Sequence, residues 1–253
     1  MILPDKKVPA SRVNPKKIIL YGNPKTGKTL ALSELEDCLI IDVESGSDFV
    51  DAMKIDVLNL AREENKKPII ILKNIINSIA KANKEKGSYV YKYIAIDTVS
   101  ALESVVLPLA NKLYTNTAQG KSWTGDDVTL LGNGAGYRWT RIALKMIIAE
   151  LEEVCDTLII LGHVKDKLVG KAGEEMTERG ISLTGQMPVI LASMADAVGY
   201  MYREDNRTVV SFIATESMIC GGRCPHLLNK EVDLIVSDDE GNIKVDWSEI
   251  FVD

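Results

Sequence analysis

Lys17-Ile18-Ile19-Leu20-Tyr21-Gly22-Asn23-Pro24-Lys25-Thr26-Gly27-Lys28-Thr29 is the stretch from which the rest of the chain can be read. Its first five residues form an apolar run that ends in a glycine loop, the pattern of a short buried strand. The loop is G-x-x-x-x-G-K-T, and Lys28 to Leu35 continues as a helix. Backbone N–H groups in such a loop converge into an anion nest. The helix adds the positive end of its dipole. The motif implies a bound nucleoside triphosphate, ATP with Mg²⁺, with Gly22, Asn23, Pro24, Lys25, Thr26, Gly27, Lys28 and Thr29 around the phosphates. Lys28 reaches the β- and γ-phosphates, and the Thr29 hydroxyl binds the metal. The strand before the loop and the helix after it are the context the motif requires.

Downstream the pattern repeats. Cys38 to Glu44 reads as a second buried strand, Tyr93 to Asp97 as a third and Leu158 to Gly162 as a fourth. Helical stretches are predicted over Pro68 to Lys86, Val99 to Leu113 and Tyr137 to Val154. Strands apolar on both faces, separated by helices, imply an α/β fold whose mostly parallel sheet is covered on both sides. Ala197 to Tyr202 and Thr208 to Ile213 flank Glu204-Asp205-Asn206-Arg207, which predicts a C-terminal antiparallel hairpin. Tyr114 to Gly136 and Val164 to Ile181 read as long loops, a functional feature in compact domains. Residues 1–15, with Pro4, Pro9 and Pro15, read as an arm, and 16–253 as one domain.

Composition narrows the function. A net charge of −6 argues against tight stand-alone binding to duplex DNA, while leaving room for a local basic path inside an assembly. No apolar run reaches membrane-spanning length, and the arm has no apolar core of a secretory signal. The expected location is the cytoplasm, which agrees with the lack of a disulfide framework among Cys38, Cys155, Cys220 and Cys224. Cys220, Cys224 and His226 form a C-x₃-C-x-H cluster that falls short of the four ligands of a structural zinc.

Ligands of parallel sheets sit at the carboxyl ends of the strands, so the residues there are the candidates. Asp97 ends the third strand, where a carboxylate would hold the Mg²⁺ shell, or would cap the helix that follows. Glu44 ends the second, placed to polarise a water against the γ-phosphate. Asp42 competes with it, because period-two alternation puts both on one face. His163 follows the fourth strand, where it either senses the γ-phosphate or is structural.

Gly22 to Thr29, Ile40-Ile41-Asp42-Val43-Glu44, Ile96-Asp97-Thr98-Val99-Ser100-Ala101-Leu102 and Leu161-Gly162-His163-Val164 together resemble the RecA-like P-loop ATPase core in order and spacing. Gly134-Ala135-Gly136-Tyr137, and Leu183-Thr184-Gly185-Gln186 leading to Ala195 through Tyr200, are similar to short phage ATPases of the Sak type, implicated in single-strand annealing and recombination. The resemblance covers roughly Lys16 to Arg223. It implies a RecA-like NTPase core with Lys28 and Thr29 as the Walker A pair, Asp97 as the Walker B carboxylate and Glu44 as the catalytic glutamate. His163 stands where RecA has a glutamine.

The resemblance also implies an assembly. The two long loops match the positions of RecA's DNA-binding loops and hold Lys121, Trp123, Arg138, Lys165, Lys167 and Lys171. These could track a single strand with Trp123 as a stacking platform, or be solvated charges beside Asp126, Asp127, Glu174, Glu175 and Glu178. Such enzymes complete the site with a cation from the next subunit. Arg223 is the candidate, beside the reading that it is an ordinary surface arginine. The expected function is ATP-dependent annealing or recombination on ssDNA, in a ring or filament of identical subunits with a single-strand-binding protein as partner. A helicase-like or loader ATPase is the alternative, and a small-molecule kinase or a non-hydrolysing ATP module fits less well.

Overall fold

The structure is a computed structural model that describes Leu3, residues 6–169 and residues 176–252. The elements run β1 (Lys17–Gly22), α1 (Lys28–Ser33), β2 (Cys38–Asp42), β3 (Lys54–Asp56), α2 (Val57–Glu63), α3 (Pro68–Lys86), β4 (Tyr93–Asp97), α4 (Val99–Val105) and α5 (Leu107–Thr115). They continue with α6 (Ala135–Glu152), β5 (Thr157–Val169), β6 (Met176–Ile181), α7 (Met187–Met194), β7 (Ala197–Glu204), β8 (Arg207–Ser211), β9 (Gly221–Gly222), β10 (Glu231–Ser237) and β11 (Ile243–Val245).

The main sheet has the order β11-β10-β8-β7-β1-β5-β4-β2-β3. Strand β1 lies between β7 and β5, parallel to both. It is buried along its whole length, and its side chains alternate between two cores. Ile19 and Tyr21 join Leu72, Ile76, Leu144 and Ile148 of α3 and α6. Ile18 and Leu20 join Ala31 and Leu32 of α1 and, from the C-terminal segment, Leu234, Ile235, Trp247 and Ile250. That double burial is why the strand reads as an unbroken apolar run rather than an alternating one.

Three sequence expectations are revised. The sheet is mixed rather than mostly parallel: five strand pairings are parallel and five antiparallel among the described residues. The antiparallel share comes from the expected β7–β8 hairpin and from β6, β9, β10 and β11, which were not expected. Val164 to Ile181 is not simply a loop. Strand β5 runs on past the sheet to Val169 and pairs antiparallel with β6 as a ribbon, with Val164 opposite Ile181 and Lys167 opposite Glu178. Lys165, Asp166, Lys167 and Leu168 are all exposed, so the ribbon has no apolar signature. Finally, the helix expected over Val99 to Leu113 is split at Val106. Pro108 lacks the N–H that a continuous helix needs and sits in the first turn of α5 instead.

The arm lies against the domain. Arg12 pairs with Asp156 at 3.1 Å. The Asn14 amide donates to the Val252 carbonyl at 2.6 Å and accepts from the Val252 N–H at 2.9 Å. Asn14 is thereby tied to Val252.

Candidate active site

The phosphate loop leaves β1 at Gly22, beside β7. A side chain at position 22 would stand 2.3 Å from the Met201 carbonyl oxygen, so only glycine allows the two backbones to approach. Gly27, the last residue before α1, has φ of 92°, a left-handed conformation that favours glycine. The Lys28 ammonium donates to the carbonyls of Asn23 at 2.7 Å and Gly22 at 3.2 Å. Burial lowers the pKa of this amine, while Asp97 and Glu44 raise it. A triphosphate offers the amine anionic acceptors in place of two neutral carbonyls.

Across the cleft, the Thr29 hydroxyl donates to Asp97 Oδ2 at 2.6 Å. Burial pushes the Asp97 carboxyl above its ordinary range, with Asp42 and Glu44 adding to the rise and Thr29 and Lys28 opposing it. A hydroxyl beside a buried carboxylate is the all-oxygen donor set that suits a hard divalent cation. These residues fit Mg²⁺, which Thr29 and Asp97 would hold.

Glu44 and Asp42 divide their work. Strand β2 ends at Asp42, so the two carboxylates are not held to one strand face as expected. Asp42 Oδ1 accepts from the N–H groups of Glu44 and Ser45 at 2.8 Å each, and Oδ2 from that of Ser47 at 3.0 Å. Its acceptors are spent on shaping the turn. Glu44, freed by that turn, faces His163, whose Nε2 lies 3.1 and 3.2 Å from its two oxygens. A carboxylate only accepts, so Nε2 is assigned the proton. The Thr98 hydroxyl also donates to Glu44 Oε1. The cap considered from the sequence was Asp97, and Thr98 was given no role of its own. It does accept from Ala101 N–H as the cap of α4, yet its second bond reaches Glu44, which no local pattern signals.

The sheet order explains the convergence. Strand β5 lies between β1 and β4, so His163, paired with Gly22 in register, stands between the phosphate loop and Asp97. Pro24, Lys25, Gly27, Lys28, Thr29, Asp42, Glu44, Asp97 and His163 line one cavity of about 360 Å³. Asn23 and Thr26 take part through backbone or internal bonds: Asn23 O receives Lys28, and Thr26 Oγ1 donates back to Asn23 O at 3.0 Å.

Other candidates lie elsewhere. Arg223 is not brought to this cavity. It follows β9, which pairs with Ala197 and Val198 at the start of β7, whereas the phosphate loop lies level with Met201. Its guanidinium donates to the Ser193 carbonyl at 2.7 Å and lies 3.7 Å from Asp196, with the side chain 66% exposed. Trp123 is half-buried. Its Nε1 donates to Asn111 Oδ1 at 2.9 Å, and its ring meets Tyr114 edge-on at 6.1 Å. Lys121, Arg138, Lys165 and Lys167 are exposed, the last two beside a cavity of about 300 Å³ under the ribbon. Lys171, Glu174 and Glu175 lie outside the described residues. Among the described residues no His, Cys, Asp and Glu group could hold a metal by itself. Of the cysteine cluster, His226 Nε2 faces the Ile250 carbonyl at 3.0 Å. No helix among the described residues is long and apolar enough to cross a membrane.

No curated protein matches the chain. Among solved structures, one described as the crystal structure of the RadB recombinase aligns with a TM-score of 0.43 and 12% identity, over 92% of each chain. A protein-family model described as an AAA domain, AAA_24, matches residues 14–224. The match begins just before β1, takes in every residue lining the nucleotide-sized cavity, and ends before β10. By that match the chain belongs to the AAA domain family.

Proposed function

We propose that the chain hydrolyses ATP with Mg²⁺ and uses the cycle to act on single-stranded DNA as an assembly of identical subunits. The observation that carries this reading is the convergence of Lys28, the Thr29–Asp97 pair and the Glu44–His163 pair on one cavity. The loop N–H groups and Lys28 bind the triphosphate. When bound, Mg²⁺ would neutralise phosphate charge between Thr29 and Asp97. Glu44 accepts a proton from the attacking water as general base. His163 and Thr98 hold the carboxylate in orientation, and His163 is placed to register loss of the γ-phosphate.

The DNA part rests on the resemblance to RecA-like Sak-type ATPases together with exposed Lys121, Arg138, Lys165 and Lys167. Strand β5 links His163 directly to the ribbon that carries Lys165 and Lys167, so a change at the γ-phosphate has a short mechanical path to it. A single-strand-binding protein is the expected partner. Arg223, exposed and far from its own chain's cavity, is proposed to serve a neighbouring subunit's nucleotide. The test is the ATPase rate with and without ssDNA at low salt. Several-fold stimulation supports the reading, and hydrolysis indifferent to ssDNA removes the DNA role. ATP-driven translocation along DNA would reassign the chain as a helicase-like or loader motor.

A further inference from the structure

The family match ends at residue 224, and the phosphate loop is held from behind by β8, inside that match, and by β10, beyond it. Thr208, on β8, is 3% exposed, and its hydroxyl donates to the Thr26 carbonyl at 3.1 Å. Its cross-strand partner is Ile235 on β10. The Ile235 Cδ1 atom stands 2.7 Å from where a side chain at Gly27 would begin, so it covers the outer face of that residue.

A local irregularity aims Ile235 there. The register of β10 on β8 shifts between Asp233 and Ile235. Along β10, exposed and buried residues alternate until Leu234 and Ile235, two successive residues that are both buried. A bulge of this kind re-aims a side chain, and bulges gather beside functional sites. Further along, Trp247 Nε1 donates to the Ala31 carbonyl of α1 at 2.8 Å. The C-terminal segment thus touches both the loop and the helix that follows it.

The Thr26–Gly27 peptide is trans. In a trans peptide the carbonyl and the next N–H point in opposite directions. Tethering the Thr26 carbonyl outward to Thr208 therefore turns the Gly27 N–H toward the cavity that Gly27 lines. A donor fixed in place before the ligand arrives costs nothing to order on binding.

We infer that Thr208, with Ile235 opposite it, is a positioning residue of the phosphate loop, so that β8 and β10 are working parts of the nucleotide site. This rests on the proposed ATP binding and turnover.

The test uses the full chain and titrates Mg-ATP into wild type, Thr208→Val and Thr208→Ser, with turnover measured alongside. Valine keeps the shape and removes the donor. The expected result is an ATP Kd and KM raised about fivefold to tenfold, the size of one lost buried hydrogen bond. The rate at saturating ATP should be unchanged, and serine should restore affinity. Thr208→Val binding ATP like wild type overturns the inference, as does a loss confined to thermal stability. Should the valine variant fail to fold, Ile235→Val decides: it keeps the strand and withdraws one methyl from Gly27. Weaker ATP binding with an unaltered melting curve supports the inference, and unaltered binding overturns it. Wild type failing to bind ATP in the same titration would instead refute the nucleotide reading itself.

Discussion

The hydroxyl of Thr29, in the first turn of α1, and the carboxylate of Asp97, at the end of β4, meet at 2.6 Å although β4 and β1, the strand that leads into α1, lie on opposite sides of β5. The carboxylate is buried, and its pKa is raised chiefly for that reason, with Asp42 and Glu44 adding to it. Raised pKa in an acid means that the charged form is penalised in the folded chain. The penalty is present in full above the folded pKa, is relieved as pH falls through it, and vanishes below the unfolded value near 3.8. Asp97→Asn should therefore stabilise the nucleotide-free protein at pH 7 by about 2–4 °C for each kcal/mol relieved, while abolishing Mg²⁺-dependent turnover. The gain over wild type should shrink as pH is lowered. Melting curves across pH, without ATP, check both statements, and a destabilised variant at pH 7 counts against this account of the site.

Glu44→Gln should bind ATP as wild type does and turn it over roughly 10²–10⁴-fold more slowly, the usual span for a lost general base. The amide keeps the size and can still accept from Thr98 and His163, so the fold should be undisturbed. Single-turnover hydrolysis beside equilibrium ATP binding separates the two effects. Unchanged turnover would remove Glu44 from the chemistry and return Asp42 to consideration, although its oxygens are already bonded to three backbone N–H groups.

Thr98→Val removes the bond that orients Glu44, together with the cap of α4. The hydroxyl donates to Glu44 and accepts from the Ala101 N–H, and neither partner belongs to the phosphate loop. A hydrogen bond to a charged group contributes about 1.5–3 kcal/mol. If that bond aligns the base, the rate at saturating ATP should drop by about tenfold or more, with ATP affinity kept. A fall in affinity without a fall in rate would show that Thr98 serves the fold rather than the base. Thr98→Ser should behave as wild type.

What could be read from sequence alone followed the range of each signal. The β1–loop–α1 unit is contiguous, and its apolar run, glycines and lysine all lie within thirteen residues. Asp97, Glu44 and His163 could be placed near one another from the sequence because each closes an apolar run, and a parallel sheet gathers such ends on one side. The roles of Thr98 and Thr208 were not legible, since their partners lie 54 and 182 residues away in the chain. The ribbon formed by β5 and β6 was missed because Lys165 to Leu168 are all exposed, so neither alternation nor an apolar run marks its outer part. Strand β10 does alternate, but the bulge at Leu234 and Ile235 breaks the period after four residues.

Trp123 is tied into its loop by Asn111 and Tyr114 and is still half-buried rather than enclosed. If one ring face stacks on a base, Trp123→Phe should keep most of the ssDNA affinity. Trp123→Ala should lose about 1–3 kcal/mol, the contribution of one stacked base. Oligo-dT should also quench the tryptophan fluorescence of the wild type more than that of Trp123→Phe. Equal quenching in both proteins would leave Trp123 as a structural clasp only.

The ribbon gives the sharpest test of where nucleic acid runs. Lys165 and Lys167 lie two apart on β5 and so project to the same side. Asp166, on the other side, is taken up by Arg179 at 2.9 Å, and the guanidinium beside it holds that carboxyl below its ordinary range. The Asp166 charge is thus partly neutralised, which leaves the lysine side of β5 as the more positive one, although Glu178 faces Lys167 across the pair. Each phosphate contact to a single strand contributes about −0.7 to the slope of log K against log salt. Lys165→Gln with Lys167→Gln should therefore weaken ssDNA binding at low salt and flatten that slope by about 1.4. ATP affinity without DNA should not change, because neither lysine lines the nucleotide cavity. A slope equal to that of wild type would exclude the ribbon from the DNA path and turn attention to Lys121 and Arg138.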